Sequence, residues 1–106
     1  MYTKDQVIAQ AQVFLTECEE MRLDYFKEHY PTTISNFPDD HKLEMKVLQK
    51  FVRFTSKGSC WAFIDLSNGD ILKPASFKTP AKHARGNIFA DNRMDSVNWT
   101  GPKCLK

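Results

Sequence analysis

The sequence predicts an α+β fold: a long N-terminal helix packed on a three- to four-stranded antiparallel sheet, with a short helix after the third strand. Three observations carry this expectation. Apolar residues recur at three- and four-residue steps only in the first thirty positions, apolar and polar residues alternate from Leu43 to Lys73, and the turn sequences Ser56-Lys57-Gly58-Ser59 and Ser67-Asn68-Gly69-Asp70 divide the alternating region. At 106 residues, 42% hydrophobic and 26% charged, the chain is expected to be a single domain, residues 1–106, able to bury a core without disulfides or metal.

The helix should start at Thr3-Lys4-Asp5-Gln6, a capping box in which the threonine hydroxyl and the glutamine side chain satisfy each other's free amides. Val7, Ile8, Ala11, Phe14, Leu15, Cys18, Met21, Arg22, Tyr25 and Phe26 then form one stripe, read as core. Glu17, Glu19, Glu20, Asp24 and Glu28 occupy the other side. Pro31 disfavours helical geometry in the residue before it and should end the helix at Tyr30. Pro31 to His41 has the composition of a loop, with Ile34 and Phe37 expected to pin it to the core. Asp39, Asp40, His41 and Glu44 read as solvated groups, not as metal ligands.

Leu43 to Thr55 reads as one strand whose parity change at Val47-Leu48 marks a bulge or bend. Cys60 to Asp65 is a second strand, the Asn68-Gly69 pair suits a hairpin turn, and Ile71 to Lys73 is a third strand ended by Pro74. Ile88 and Phe89 should return the chain to the core, Asp91 to Ser96 reads as a loop, and Val97 to Trp99 as a short edge strand. Lys103 to Lys106 are expected to fray. Cys18, Cys60 and Cys104 are odd in number and widely spaced, which argues against a disulfide scaffold or zinc site; Cys18 and Cys60 read as buried free thiols. No apolar run is long enough to span a membrane and no secretion signal opens the chain, so a cytoplasmic location without membrane or cofactor is expected.

The densest chemistry lies in Lys73 to Asn87. No acid occurs between Asp70 and Asp91, whereas Lys73, Lys78, Lys82 and Arg85 are cationic and His83 can become so. Thr79 can cap a helix, Pro80 suits its first turn, and Gly86 with Asn87 can close it, so a short helix from Pro80 to Arg85 is predicted. Its first amides would converge with the Ser76 and Thr79 hydroxyls and the Lys78 ammonium on a bound phosphate. Charge is also unevenly distributed: residues 1 to 40 hold three Lys or Arg against eight acids, the remainder twelve against five. Such polarity can orient an anionic partner or favour self-association.

The runs Gly69-Asp-Ile-Leu-Lys-Pro-Ala-Ser-Phe-Lys78 and Pro80-Ala-Lys-His-Ala-Arg-Gly-Asn-Ile88 resemble a motif of small uncharacterised proteins of tailed bacteriophages. The likeness covers about twenty residues and leaves the N-terminal helix unmatched. Where those proteins often carry Trp, this chain has Phe77, which keeps a stacking surface and loses an indole donor. The resemblance implies a phage origin, hence a host-cell cytoplasm, and no particular reaction.

Four classes of function follow. The leading expectation is a binding protein for a nucleotide-like, phosphate-bearing small molecule, sequestering an immune signalling nucleotide of the host. Lys73, Ser76, Lys78, Thr79, Lys82, His83, Arg85 and Asn87 would surround the ligand, and Phe77 or Trp61 would stack on a base. The alternative is a nucleic-acid-binding accessory protein that adds Lys46, Lys50, Arg53 and Lys57 to the same basic surface. A further alternative is an inhibitor of a host enzyme through the acidic face from Glu17 to Glu28. An enzyme is the less favoured class: His83 could serve as general acid or base beside Lys82 or Arg85, but no accompanying catalytic motif is present. Large apolar surfaces and strand edges also suggest a homodimer or higher homo-oligomer.

Overall fold

A computed structural model of the chain describes residues 2–103. The capping box forms as written, with the Thr3 amide donating to Gln6 Oε1 at 2.8 Å and the Gln6 amide to Thr3 Oγ1 at 3.2 Å. Helix α1, Lys4–His29, runs from this cap to Tyr30. The chain does not continue as a loop: Pro31–Asn36 forms a second short helix, α2. Proline at its first position lacks only a donor that a helix start leaves unused, so the residue that ends α1 also begins α2. Ile34 is half-buried, but Phe37, expected to anchor this segment, is 62% exposed.

The sheet has five strands, more than the three or four expected. They are β1 Glu44–Val47, β2 Phe51–Ser56, β3 Ser59–Asp65, β4 Asp70–Pro74 and β5 Pro80–Asn87, in the order β1-β2-β3-β4-β5 with every neighbour antiparallel. One extra strand comes from Leu43–Thr55. Its parity change at Val47-Leu48 is a reversal of direction, not a bulge, closed by the Leu48 amide donating to the Phe51 carbonyl at 2.8 Å. The other is the predicted short helix, whose residues form β5.

The physical reason lies at the edge of β4. Six residues would bear the full cost of helix nucleation for one turn and a half, whereas the unpaired edge of β4 offers a ladder to the whole segment. The Thr79-Pro80 and Gly86-Asn87 signals serve a hairpin as well as a helix. The Thr79 carbonyl accepts from the Ala75 and Ser76 amides at 2.9 and 3.0 Å, and Ser76 Oγ accepts from the Lys78 and Thr79 amides at 3.3 and 3.2 Å. Gly86 is required by close approach: a Cβ there would lie 1.8 Å from Ser96 Oγ.

After β5, a 3-10 turn Arg93–Ser96 leads into a small hairpin of β6 Val97–Asn98 and β7 Gly101–Pro102, separate from the main sheet. Of the end expected to fray, Cys104 to Lys106 lie outside the described residues. Helix α1 lays Val7, Ala11, Phe14, Leu15 and Cys18 on one face of the sheet, against Val52, Phe54, Ala62, Ile64, Ile71 and Ile88. Strand alternation makes this possible, since those sheet residues share one side of the pleat. Trp61 joins the same core through the register shift at Phe54/Thr55.

Arg22, placed by its spacing on the apolar stripe, is buried as that spacing implies. Its guanidinium donates to the carbonyls of His41, Trp99 and Asp40 at 3.1, 3.0 and 3.3 Å and to Ser56 Oγ at 3.0 Å. On either flank of the buried stripe of α1, Glu17 grips Arg93 through two 2.7 Å bonds and Glu19 accepts from the Leu43 amide at 2.8 Å. Two of the acids on the proposed mimic surface are therefore structural. Cys18 and Cys60 are free; Cys18 is buried and Cys60 half-buried. Burial pushes both thiols above their ordinary pKa. Iodoacetamide at about pH 8 is therefore expected to label Cys18 only on unfolding, which peptide mass mapping with and without denaturant would check.

Candidate functional site

With α1 on one side of the sheet, no helix among the described residues lies over the other side. Cross-strand register places Lys46, Arg53, Phe63, Leu72 and Ala84 in a single row over all five strands on this open face. Antiparallel sheets commonly leave one face to water, and that face is then polar. Here Phe63 is fully buried and Leu72 only 7% exposed.

The β4–β5 loop contributes to that burial by folding back over the face. The Phe77 ring lies 4.1 Å from the guanidinium carbon of Arg53, two strands away, and the Phe77 carbonyl accepts from Arg53 Nη1 at 3.4 Å. Phe51 meets Phe63 edge-on at 5.7 Å. The face thus has an aromatic and aliphatic floor, with the Arg53 guanidinium beside the exposed Phe77 ring. Arg53 Nε is buried without a hydrogen-bond partner.

The basic stretch divides into three groups. Lys73 Nζ donates to the Pro102 carbonyl at 3.2 Å, Arg85 Nε to the Lys103 carbonyl at 2.9 Å, and Arg85 Nη1 to the His83 carbonyl. Arg85 is the extra residue where the register slips between Leu72↔Ala84 and Ile71↔Gly86, which turns it toward the C-terminal hairpin. Asn87 Nδ2 donates to the Asn68 carbonyl and Asp70 Oδ1 at 2.8 and 3.1 Å, while its Oδ1 accepts from the Phe89 amide at 2.9 Å. These three residues brace the hairpin. Ser76 and Thr79 shape its loop. Phe77, Lys78, Lys82 and His83 are exposed.

Convergence on one phosphate at a helix start is therefore overturned. Lys82 and His83 are both exposed, in the part of β5 where its register with β4 shifts between Leu72↔Ala84 and Pro74↔Pro80. Trp61, an expected stacking platform, is buried with its Nε1 donating to the Trp99 carbonyl at 3.2 Å. Lys57 is paired with Asp40. Cations available on or beside the open face are Lys46, Arg53, Lys78 and Lys82. The central place of Arg53 had no local signal, because it depends on a loop more than twenty positions later in the chain.

One family model matches residues 2–104, almost the entire length. The chain belongs to DUF7717, a family of unknown function. No curated protein and no solved structure matches it. In this DUF7717 chain the sheet face opposite α1 is left as an open surface among the described residues. That surface offers a braced aromatic ring and spaced cations on a flat sheet.

Proposed function

We propose that the protein binds a nucleotide-like, phosphate-bearing ligand on the open sheet face and the β4–β5 hairpin, and that single-stranded nucleic acid is its form. The observation carrying this reading is the Phe77–Arg53 pair. A ring that is 44% exposed and backed on one side by a guanidinium presents its other side to a base. Lys46, Lys78 and Lys82 are spread around it, as a phosphate chain requires.

Enclosure favours a strand over a free nucleotide. Small ligands are held in pockets that cover most of their surface, and Lys78, Thr79, Lys82 and His83 are all exposed on a flat hairpin. A strand instead gains affinity from several shallow contacts, each base stacking on a ring and each phosphate meeting a cation. An origin in a tailed phage, which the Lys73–Asn87 motif suggests, would place the strand in a host cell's cytoplasm.

Fluorescence anisotropy with a labelled oligothymidylate is expected to show binding that weakens about 50-fold between about 50 and 200 mM salt, as follows from roughly four phosphate contacts. Phe77→Ala should weaken it by about tenfold, the worth of one stacked base. Lys82→Glu should weaken it and flatten the salt dependence. Absence of binding at the lower salt would refute the strand, and a cyclic dinucleotide that binds when oligomers do not would make the ligand small.

A further inference from the structure

At the end of the sheet away from the β4–β5 loop lies a cleft of about 500 Å³. It is lined by Tyr2, Lys4, Lys50, Phe51, Asp65 and Ser67, among others, from three separate stretches of chain. We propose that this cleft is a second binding site, for a single nucleoside monophosphate.

Its size falls within the range of pockets that enclose small ligands, unlike the flat hairpin. Its two aromatic rings are each braced from behind. Tyr2 stacks on Phe89 with ring centroids 3.6 Å apart and planes 6° from parallel, and remains 46% exposed. Phe51 has the edge-on contact with Phe63 and is half-buried. A base entering the cleft meets two rings whose positions are already set, so little ordering cost remains.

Charge sets the other half of the ligand. Lys4 and Lys50 bring two ammonium groups and Asp65 one carboxylate. One oxygen of Asp65 is engaged, accepting from the Ser67 amide and hydroxyl at 2.8 and 2.6 Å. A monophosphate, with roughly two negative charges near neutral pH, can be met by the two ammonium groups, whereas a triphosphate would bring far more negative charge than the cleft neutralises. The same chemistry is carried by a free mononucleotide and by the phosphorylated end of a strand. Phe51 joins the cleft to the open face, so an end seated here could continue over the sheet; only this last point rests on the strand-binding reading.

Calorimetric titration of the full chain with thymidine 5′-monophosphate, thymidine and inorganic phosphate tests the site. The monophosphate is expected to bind, and nucleoside or phosphate alone at least about tenfold more weakly, since base and phosphate each carry part of the affinity. Lys50→Glu, a change at an exposed residue, should remove binding of the monophosphate, as should Tyr2→Ala, while Lys27→Glu, at an exposed residue in the last turn of α1, should leave it unchanged. Absence of heat with the monophosphate, or heat unaffected by both cleft variants, overturns the site. Oligothymidylates with and without a 5′-phosphate then separate the sources: tighter binding of the phosphorylated strand, lost in Lys50→Glu, identifies a strand end, and equal binding identifies the free nucleotide. Failure of the strand-binding reading looks different, since unphosphorylated oligomers would not bind at all while the monophosphate still would.

Discussion

Replacing Arg22 with Met is expected to destabilise the protein by about 3–5 kcal/mol, the range seen when one partner of a buried charged network is removed. Methionine keeps the length and apolar stem of the side chain, so the loss reports the guanidinium. That group donates to three backbone carbonyls and one hydroxyl on segments far apart in the chain, namely the loop before β1, the end of β2 and the β6–β7 hairpin. It also lies 5.3 Å from the Phe26 ring centroid and 5.9 Å from that of Trp61. Burial lowers the Arg22 pKa, with Asp40 opposing the change, so the charge is retained by its partners and not by solvent. Arg22→Lys should recover little, because an ammonium cannot span four acceptors arranged for a planar fork. Urea unfolding would show the midpoint falling with an unchanged slope, and the thermal midpoint should drop by about 15 °C. A loss under about 1 kcal/mol would mean that the acceptors rehydrate freely and that the network only fills space.

How much of this was legible in the chain depends on how local the deciding interaction is. The start of α1 was written in Thr3 and Gln6, two residues that satisfy each other. The turns at Ser56–Ser59 and Ser67–Asp70 were equally self-contained. Misreadings arose where one local signal serves two structures. Thr79-Pro80 and Gly86-Asn87 suit both helix caps and hairpin ends, and only the free edge of β4 decides between them. The parity change at Val47-Leu48 fits a bulge or a reversal, and only pairing of Glu44–Val47 with Val52–Thr55 tells which.

The candidate site divides in the same way. Cationic density around Lys73–Asn87 was visible, but its partition was not, because Lys73 and Arg85 are used by carbonyls of a C-terminal hairpin whose position no local pattern reveals. Arg53 became central only when the loop brought Phe77 back over it. Tyr2, Lys4 and Phe51, which share the cleft with Lys50, carry no joint signal, since three stretches meet there only after the sheet has formed.

Gly101→Val is expected to cost about 3 kcal/mol or more, through backbone strain added to a steric clash. The Gly101 φ of 130° is a conformation that residues with a side chain rarely adopt, and a Cβ there would stand 2.7 Å from the Trp61 carbonyl oxygen. That obstacle is main chain in the centre of β3, so no rotamer change relieves it. Consequences should reach the binding surface, because β7 and the residue after it supply the carbonyls that hold Lys73 and Arg85. Displacing β7 frees both cations and loosens the β4–β5 hairpin that carries Phe77. The variant should therefore unfold at lower urea and, under conditions where it remains folded, show weaker oligothymidylate binding with faster amide hydrogen exchange confined to β4, β5 and the C-terminal hairpin. Uniformly faster exchange over the whole sheet would instead mean that β7 supports the entire core, and unchanged stability would remove the hairpin from any role in positioning the site.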